Sequence, residues 1–141
     1  MIRNRGVAII VQEGEIALIK RIREGETYYV FPGGGIEEGE TPEEATKREA
    51  YEELGVHIKV GHLITEVEFK GTEYYFTAHI IGGVFGSGKA EEFKLKDRGS
   101  YIPLWLPIHE LKNRNIKPYE VVESILGHYE IESLTTYKKN H

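Results

Sequence analysis

Three glutamates in one short segment are spaced so that their carboxylates can act together. Glu49, Glu52 and Glu53 stand at positions i, i+3 and i+4, which places them on one face if the segment is helical. Like charges at this spacing repel by about 0.2–0.5 kcal/mol per pair in an isolated helix. A divalent cation would turn that repulsion into attraction, because hard cations such as Mg²⁺ bind carboxylate oxygens. Taken alone, the spacing also fits an acidic helix face exposed to solvent.

The negative charge of the chain is concentrated around these glutamates. Eight carboxylates and only two basic residues lie in positions 37–53, whereas the whole 141-residue chain has a net charge of −5. Arg48 is four residues from both Glu44 and Glu52, so we expect it to pair with them and to hold one carboxylate in place. Because positions 37–53 hold this excess of carboxylates, the remainder of the chain is close to neutral.

End signals predict a helix that carries all three glutamates. Thr41 is a good N-cap, Pro42 suits the first helical position, and Glu44 completes a capping box. Gly55 is placed to end the helix. These signals predict a helix over Pro42–Leu54.

The remaining sequence consists mainly of strand-length apolar segments separated by turns. Pro32–Gly35 is expected to be a turn outside any regular element. Because strands come first, one helix interrupts them and helices close the chain, we predict an α/β fold with a mixed β-sheet and helices on its faces. The predicted strands are Arg5–Gln12, Ile16–Arg21, Tyr28–Phe31, Val56–Phe69, Tyr74–Phe85 and Tyr101–Leu106, with a loop over Gly86–Ser100, helices over Ile108–Lys112 and Pro118–Tyr129, and a frayed tail over Thr135–His141.

Composition limits the classes of protein that fit this sequence. Hydrophobic residues make up 40% and charged residues 29% of the chain, which is typical of one globular domain over residues 1–141. No apolar run approaches the roughly 20 residues that a bilayer requires. The N-terminal residues lack a signal-peptide pattern and the chain has no cysteine, so we expect a cytoplasmic protein. The acidic balance argues against long nucleic acids as partners, and a homodimer stays open.

The glutamates belong to a longer motif that resembles a known family. The residues from Gly34 to Val56 follow the pattern G-x5-E-x7-R-E-U-x-E-E-x-G-U, where U is an aliphatic or small apolar residue. Every defined position is filled, with Ala50 at the small end of what its position accepts. This motif closely resembles the Nudix box of the MutT/Nudix hydrolases.

The resemblance implies a fold, a reaction and a set of metal ligands. Nudix proteins form an α/β/α sandwich with a catalytic strand–loop–helix unit and cleave diphosphate linkages by attack of water on phosphorus. The family pattern assigns Glu49, Glu52 and Glu53, together with the carbonyl of Gly33, as ligands of Mg²⁺ or Mn²⁺. Arg48 joins the glutamates in the catalytic set, where it supports the loop and helix as Glu40 does.

The resemblance leaves the general base open. In some members it is the first glutamate of the helix segment, here Glu49, and in others it comes from a later loop. In the latter case Glu91 or Glu92, within the loop predicted over Gly86–Ser100, would be the base. These two residues are equally compatible with a solvated loop.

Substrate recognition in this family depends on residues outside the box. The aromatic residues before the glycines would stack on a base or pack in the core, and the basic residues after the second strand would hold a phosphate or remain solvated. Tyr74 stands where diadenosine polyphosphate hydrolases tend to carry a tyrosine, although packing in the core of the strand is the interpretation that its aromatic neighbours favour. The candidate substrate-binding residues are Arg21, Tyr29, Phe31 and Tyr74, with Tyr28 and Arg23 as neighbours of the same types.

Small nucleotides are the substrates that the resemblance favours. The predicted activity is hydrolysis of a nucleoside triphosphate, an oxidised nucleotide or a dinucleoside polyphosphate. The ADP-ribose subgroup usually has a proline about 15 residues after the box, where this chain has Gly71 and Thr72. Two further alternatives are a hydrolase of capped RNA ends and a non-catalytic, nucleotide-sensing module with a Nudix fold.

Overall fold

The secondary structure of this chain begins with two long apolar strands that form a hairpin. The structure is a computed structural model that describes residues 3–89 and 99–130. β1 and β2 are antiparallel, with Val11 opposite Ile16. The strands are β1 (Arg5–Gln12), β2 (Glu15–Arg23), β3 (Glu26–Val30), β4 (Gly33–Gly35), β5 (Val56–Glu68), β6 (Thr72–Gly83) and β7 (Ser100–Pro107).

Within the described part of the chain, these seven strands form one mixed sheet in which the main order is β3-β2-β1-β6-β5. β1 runs parallel to β6, and the other printed pairings, including β4 with β1 and β7 with β2, are antiparallel. The parallel pair is possible because a helix and a long strand intervene between β1 and β6.

The predicted glutamate helix, α1, spans Pro42–Leu54 as expected. Thr41 and Glu44 form the reciprocal hydrogen bonds of a capping box, an arrangement in which the cap contributes about 1 kcal/mol. Gly55 ends the helix in the left-handed conformation, with φ of 80°, and its N–H donates to the carbonyl of Tyr51. Glycine adopts this conformation without the steric cost that a side chain would add.

Helices cover both faces of the sheet. Successive residues of β1 and β2 point to opposite faces, and both faces are buried, which explains their nearly continuous apolar sequences. On one face Ala8 and Ile10 pack with Ala50 and Leu54 of α1. On the other, the core includes Val7, Ile9, Leu18, Val122 and Ile125, the last two from the helical residues 122–130, called α2 here. The chain is therefore an α/β/α sandwich with a mixed sheet, as predicted.

Several predicted boundaries were wrong in an informative way. The glycines of Gly33–Gly35 form β4 rather than a free turn, because they pair with Arg5, Gly6 and Val7 of β1. β2 continues to Arg23 through its pairing with β3, so Arg21 and Arg23 lie in the strand and not in the loop after it.

The helix predicted from Pro118 begins with a 3-10 turn, Tyr119–Val121, before α2. The segment Ile108–Asn113 is a 3-10 helix, and the tail predicted over Thr135–His141 lies outside the described residues.

Close packing of α1 on β1 depends on a glycine in the strand. A Cβ on Gly6 would lie 2.6 Å from the carbonyl oxygen of Pro42 and would also meet the hydroxyl of Thr46. That hydroxyl is buried and donates to the same carbonyl at 2.8 Å. The glycine therefore sets how closely the first turn of α1 approaches the sheet.

We expect Gly6→Ala to lower the free energy of unfolding by about 1–3 kcal/mol, the usual cost of overpacking. Gly127→Ala is the matched control, because Gly127 lies in α2 and a Cβ there meets nothing within 4 Å. The control should raise stability by roughly 0.5–1 kcal/mol through helix propensity. Urea denaturation of both variants measures the two changes, and equal stability of the two variants would contradict this account of the packing.

Candidate active site

The candidate site lies where the C-terminal half of α1 faces the glycines of β4. Glu53 is buried, with 8% of its surface exposed. Its Oε1 accepts a hydrogen bond from the N–H of Gly33 at 2.7 Å. The neighbouring Gly34 has no side chain, and a Cβ there would collide with the carboxylate of Glu49. The glycines therefore give two carboxylates direct access to the strand backbone.

Burial of these carboxylates changes their proton affinity. Desolvation, followed by repulsion from Glu49, raises the pKa of Glu53 to about 8. Desolvation also raises the pKa of Glu49, although hydrogen bonding to Arg48 opposes the shift. Two carboxylates with raised pKa values in one place are typical of a functional site, because burial of this kind is costly without a counter-charge.

Arg48 is the counter-charge that organises the outer part of the site. Its Nε and Nη2 donate to both carboxylate oxygens of Glu40, at 2.8 and 3.0 Å. Its Nη2 also donates to the carbonyl of Gly35 at 2.9 Å. Its Nη1 reaches Glu49 at 3.0 Å and Glu52 at 3.5 Å. One guanidinium therefore connects the loop before α1, the strand β4 and the acidic face of α1.

The expected partner Glu44 is not among these contacts. Its carboxylate accepts a hydrogen bond from the N–H of Thr41 in the capping box, whereas Glu40 takes the bidentate position on Arg48. The hydrogen bonds from Arg48 hold the pKa of Glu40 down at about 2. Glu40 is thus an ionised anchor, although sequence spacing favoured a pair within the helix.

The oxygen atoms of the site are of the kind that binds a divalent cation, although the described acidic side chains do not converge on one point. Glu49, Glu52 and Glu53 supply hard oxygen donors from one helix face, and Gly33, whose N–H binds Glu53, has its carbonyl oxygen 3.5 Å from Arg5. Such oxygens are the usual ligands of Mg²⁺ and Mn²⁺. Among residues 3–89 and 99–130, no three acidic or imidazole side chains converge as a ready metal site. Arg48 and Gly33 hold the carboxylates instead.

A cleft of about 550 Å³ opens beside the glycine strand on the α2 side of the sheet. Its apolar wall includes Val7, Phe31 and Tyr75, and its rim carries two acidic residues, Glu73 and Glu120. This volume is within the range of sites for small ligands. Four basic side chains also line the cleft: Arg3, Arg5, Lys70 and Lys117.

Arg5 links the cleft to the acidic face of α1. Its Nη2 lies 3.5 Å from the carbonyl oxygen of Gly33, and its Nε lies 3.8 Å from Glu73. The positive charge of Arg5 also acts to lower the pKa values of Glu49 and Glu53. The cleft and the carboxylates are therefore adjacent parts of one site, and Arg5 stands between them.

The four candidate substrate-binding residues lie in different environments, and only one of them lines the cleft. Tyr29 and Phe31 are buried core residues, and Phe31 packs edge-on against Tyr75. Phe31 nevertheless contributes to the cleft wall. Arg21 is buried, lies 3.7 Å from the ring centroid of Tyr101 and donates to the carbonyl of Ser100. Tyr74 is partly buried and stacks near Phe76.

The remaining predicted residues fall outside these contacts. Glu91 and Glu92 lie outside the described residues, so their role as a base stays a prediction. Trp105 packs against Phe85. The basic residues of the cleft were not identified from the sequence. The alternation of Arg3 and Arg5 at the start of the apolar strand β1 was a signal for two of them, and their placement at Gly35 is seen only in the tertiary structure.

Comparison with known proteins gives consistent results. Residues 2–125 match the model of the NUDIX domain. An RNA pyrophosphohydrolase of Vibrio atlanticus (strain LGP32) is 47% identical over 56 residues, which is 40% of this chain and 31% of that protein. A second one, from Actinobacillus succinogenes, is 45% identical over 40% of this chain and 27% of its own length. The match thus spans less than a third of these relatives.

Solved structures extend the similarity to most of the fold. A NUDIX hydrolase from Nitrosomonas europaea has a TM-score of 0.70 at 19% identity, covering 92% of this chain and 90% of that one. The MutT NUDIX hydrolase from Burkholderia pseudomallei has a TM-score of 0.60 at 26% identity, covering 77% and 85%. None of the described helices has the length and apolar character needed to cross a membrane.

The raised pKa of Glu53 predicts a pH-dependent stability of the metal-free protein. The folded carboxyl holds its proton up to about pH 8, whereas the unfolded one, with a pKa near 4.5, releases it earlier. The penalty of burying this group is therefore absent below about pH 4.5 and grows as the pH rises towards 8.

Glu53→Gln should remove this penalty, because the amide stays neutral and its oxygen still accepts from Gly33. In EDTA we expect the variant to gain stability over the parent as the pH rises from 5 to 9, by up to about 4 kcal/mol at one pKa unit per 1.4 kcal/mol. Glu38→Gln, at an exposed loop position, is the control and should show no such trend. Thermal unfolding across this pH range measures the effect, and a constant difference for Glu53→Gln would refute it.

Proposed function

Because this chain belongs to the Nudix family, we propose that it is a hydrolase, namely a Mg²⁺- or Mn²⁺-dependent pyrophosphohydrolase of small nucleotides. Its substrate would be a nucleoside triphosphate, an oxidised nucleotide or a dinucleoside polyphosphate, cleaved by attack of water on phosphorus. The observation that carries this proposal is the buried Glu53, hydrogen-bonded to the backbone of Gly33 beside Glu49. Nudix hydrolases generally use divalent metals, and these carboxylates supply suitable ligands.

In the proposed mechanism, Glu49, Glu52, Glu53 and the Gly33 carbonyl would hold the metal. When bound, the metal would neutralise phosphate charge and lower the pKa of a water. Arg48 keeps Glu49 and Glu52 on the side of the site that faces β4, because its guanidinium is itself fixed by Glu40 and the Gly35 carbonyl. To bind the cation, these carboxylates would have to give up part of their hydrogen bonds to Arg48 and to the N–H of Gly33.

The proton of the attacking water needs an acceptor on the protein. Glu49 is the candidate within the described residues, because its raised pKa brings its proton affinity closer to neutral pH than that of an exposed carboxylate. Arg5 lies next to Gly33 and faces the cleft, where it would stabilise charge on the phosphate that extends away from the metal ligands. Glu91 and Glu92 remain the alternative bases proposed from the sequence.

We expect hydrolysis of nucleotides to stop in EDTA and to return with Mg²⁺ or Mn²⁺. Glu52→Gln and Glu53→Gln should each lower kcat/KM by at least about 100-fold, since even residues that support metal ligands contribute 10–100-fold. Glu43→Gln is the matched control, because Glu43 is exposed in the first turn of the same helix. Phosphate release from a nucleotide panel measures activity.

Thermal unfolding with and without Mg²⁺ completes this test. The cation should raise the Tm of the parent and of Glu43→Gln, because it binds the folded state, but should not raise that of Glu53→Gln. Near-normal turnover by Glu53→Gln would contradict the proposal. A parent that binds Mg²⁺ and nucleotides without turning them over would instead support a regulatory, non-catalytic module.

The relatives named RNA pyrophosphohydrolase support a second candidate substrate, the 5′ end of an RNA. Their similarity is confined to about 40% of this chain. Two cations of the cleft are compensated, since Arg5 lies near Glu73 and Lys117 pairs with Glu26 at 2.9 Å. Together with the net charge of −5, this leaves weak attraction for the phosphates of a following strand.

Competition between two substrates separates these candidates. We expect kcat/KM for a free nucleoside triphosphate to exceed that for a 5′-triphosphorylated oligoribonucleotide at least tenfold at physiological ionic strength. The rates with both substrates at two salt concentrations provide the measurement. A preference for the oligonucleotide that weakens with salt would assign the protein to RNA ends.

A further inference from the structure

An aromatic side chain at the mouth of the cleft has no structural role in the core. Phe69 is 75% exposed, the highest fraction for a large apolar side chain in the described part of the chain. It lies just after β5, in the connection to β6, and lines the cleft together with Lys70. Leaving an aromatic ring in water forgoes the stabilisation that burial of such a side chain would give.

The connection that carries Phe69 is held firmly against the N-terminal segment. The N–H of Arg3 donates to the carbonyl of Lys70 at 2.6 Å, and the N–H of Thr72 donates to Oδ1 of Asn4 at 2.9 Å. Within the turn, the N–H of Phe69 donates to the carbonyl of Gly71 at 2.8 Å. Gly71 has a φ of 141°, and its Cα lies so close to the backbone of Arg3 that a side chain would collide. The ring is therefore presented from a fixed backbone.

Two cations that line the cleft with Phe69, Arg3 and Lys70, form no ion pair with a described carboxylate. In the described ranges, neither Arg3 nor Lys70 has a carboxylate within ion-pairing distance, in contrast to the Arg5–Glu73 and Lys117–Glu26 pairs. The Nζ of Lys70 lies 5.8 Å from the centre of the Phe69 ring. The guanidinium of Arg3 lies over Gly35, one residue from the glycine that faces Glu49. The uncompensated charge thus extends from the aromatic ring to the glycine strand.

We propose that Phe69 is the stacking surface for the base of the substrate nucleotide, and that Arg3 and Lys70 bind the phosphates between that base and the metal ligands. This inference rests on the proposed function, because it assigns the orientation of the nucleotide in the same site. Flat bases stack on aromatic rings without sequence preference, and phosphates bind guanidinium and ammonium groups. Phe69 would thereby favour nucleotides over phosphate esters without a base.

Paired substrates with and without a base test the role of Phe69. Phe69→Ala should lower kcat/KM for GTP by roughly 5- to 100-fold, the change expected for loss of one base–aromatic stack, mainly through KM. It should leave kcat/KM for ribose 5-triphosphate unchanged, and Phe69→Trp should retain the preference for GTP. Ile81→Ala is the control, because Ile81 is 65% exposed on β6 but does not line the cleft. Equal losses on both substrates would overturn the proposal.

Lys70→Met separates the phosphate contact from the base contact. Loss of this charge should lower kcat/KM for GTP and for ribose 5-triphosphate by the same factor, because both carry the triphosphate. A loss confined to GTP would contradict the assignment of Lys70.

Calorimetric titration in EDTA separates this inference from the proposed function. The parent should bind GTP more tightly than tripolyphosphate, and Phe69→Ala should lose the difference. If the parent shows this preference but hydrolyses neither nucleotide, the proposed function fails while the base-binding role of Phe69 holds. If the parent hydrolyses GTP yet Phe69→Ala behaves as the parent in both assays, the proposed function holds and this inference fails.

Discussion

The site requires several carboxylates to lie close together against the backbone of β4, although their negative charges repel one another. One guanidinium, that of Arg48, opposes this repulsion by donating to Glu40, Glu49, Glu52 and the carbonyl of Gly35. Because Arg48 is partly buried, these charge-assisted hydrogen bonds are screened less by water than those of an exposed pair. The loop before α1, the strand β4 and the helix face are thereby held in one arrangement.

Glycine makes this arrangement sterically possible. α1 approaches β1 over Gly6, and the acidic face approaches β4 over Gly34. The same closeness buries Glu53, whose carboxylate has the backbone N–H of Gly33 as a partner but no cation at hydrogen-bonding distance among the described residues. The raised pKa of Glu53 expresses the cost of this burial. A site that pays such a cost in stability is well prepared to bind a positively charged ligand.

The sheet forms the second part of the site, which is the cleft beside β1. β1 pairs with β4 on one side and with β6 on the other, so Arg5 at its start is brought between Gly35 and Glu73. The cleft therefore adjoins the acidic face of α1 without any residue of α1 lining it. In the proposed function, reaction and recognition are divided: the helix would supply the metal ligands, and the strand ends and their connections would supply the contacts to the remainder of the nucleotide. With this division, variation in those connections would alter substrate preference without disturbing the carboxylates.

The sequence by itself determined the helix and the face that its three glutamates share, because both depend on local spacing. The capping residues Thr41 and Glu44 and the terminating Gly55 defined α1 to the residue, and the i, i+3, i+4 spacing placed the three glutamates on one face. Strand periodicity and element order also sufficed for the fold class. Tertiary structure alone decided which partners these residues have. Arg48 binds Glu40 rather than Glu44, and Gly33–Gly35 become a strand, because both outcomes depend on contacts between distant segments. The cleft of Arg3, Arg5 and Phe69 could not be predicted for the same reason: its lining comes from four separate segments, within residues 3–7, 30–31, 69–75 and 117–120, and no local pattern predicts that they meet.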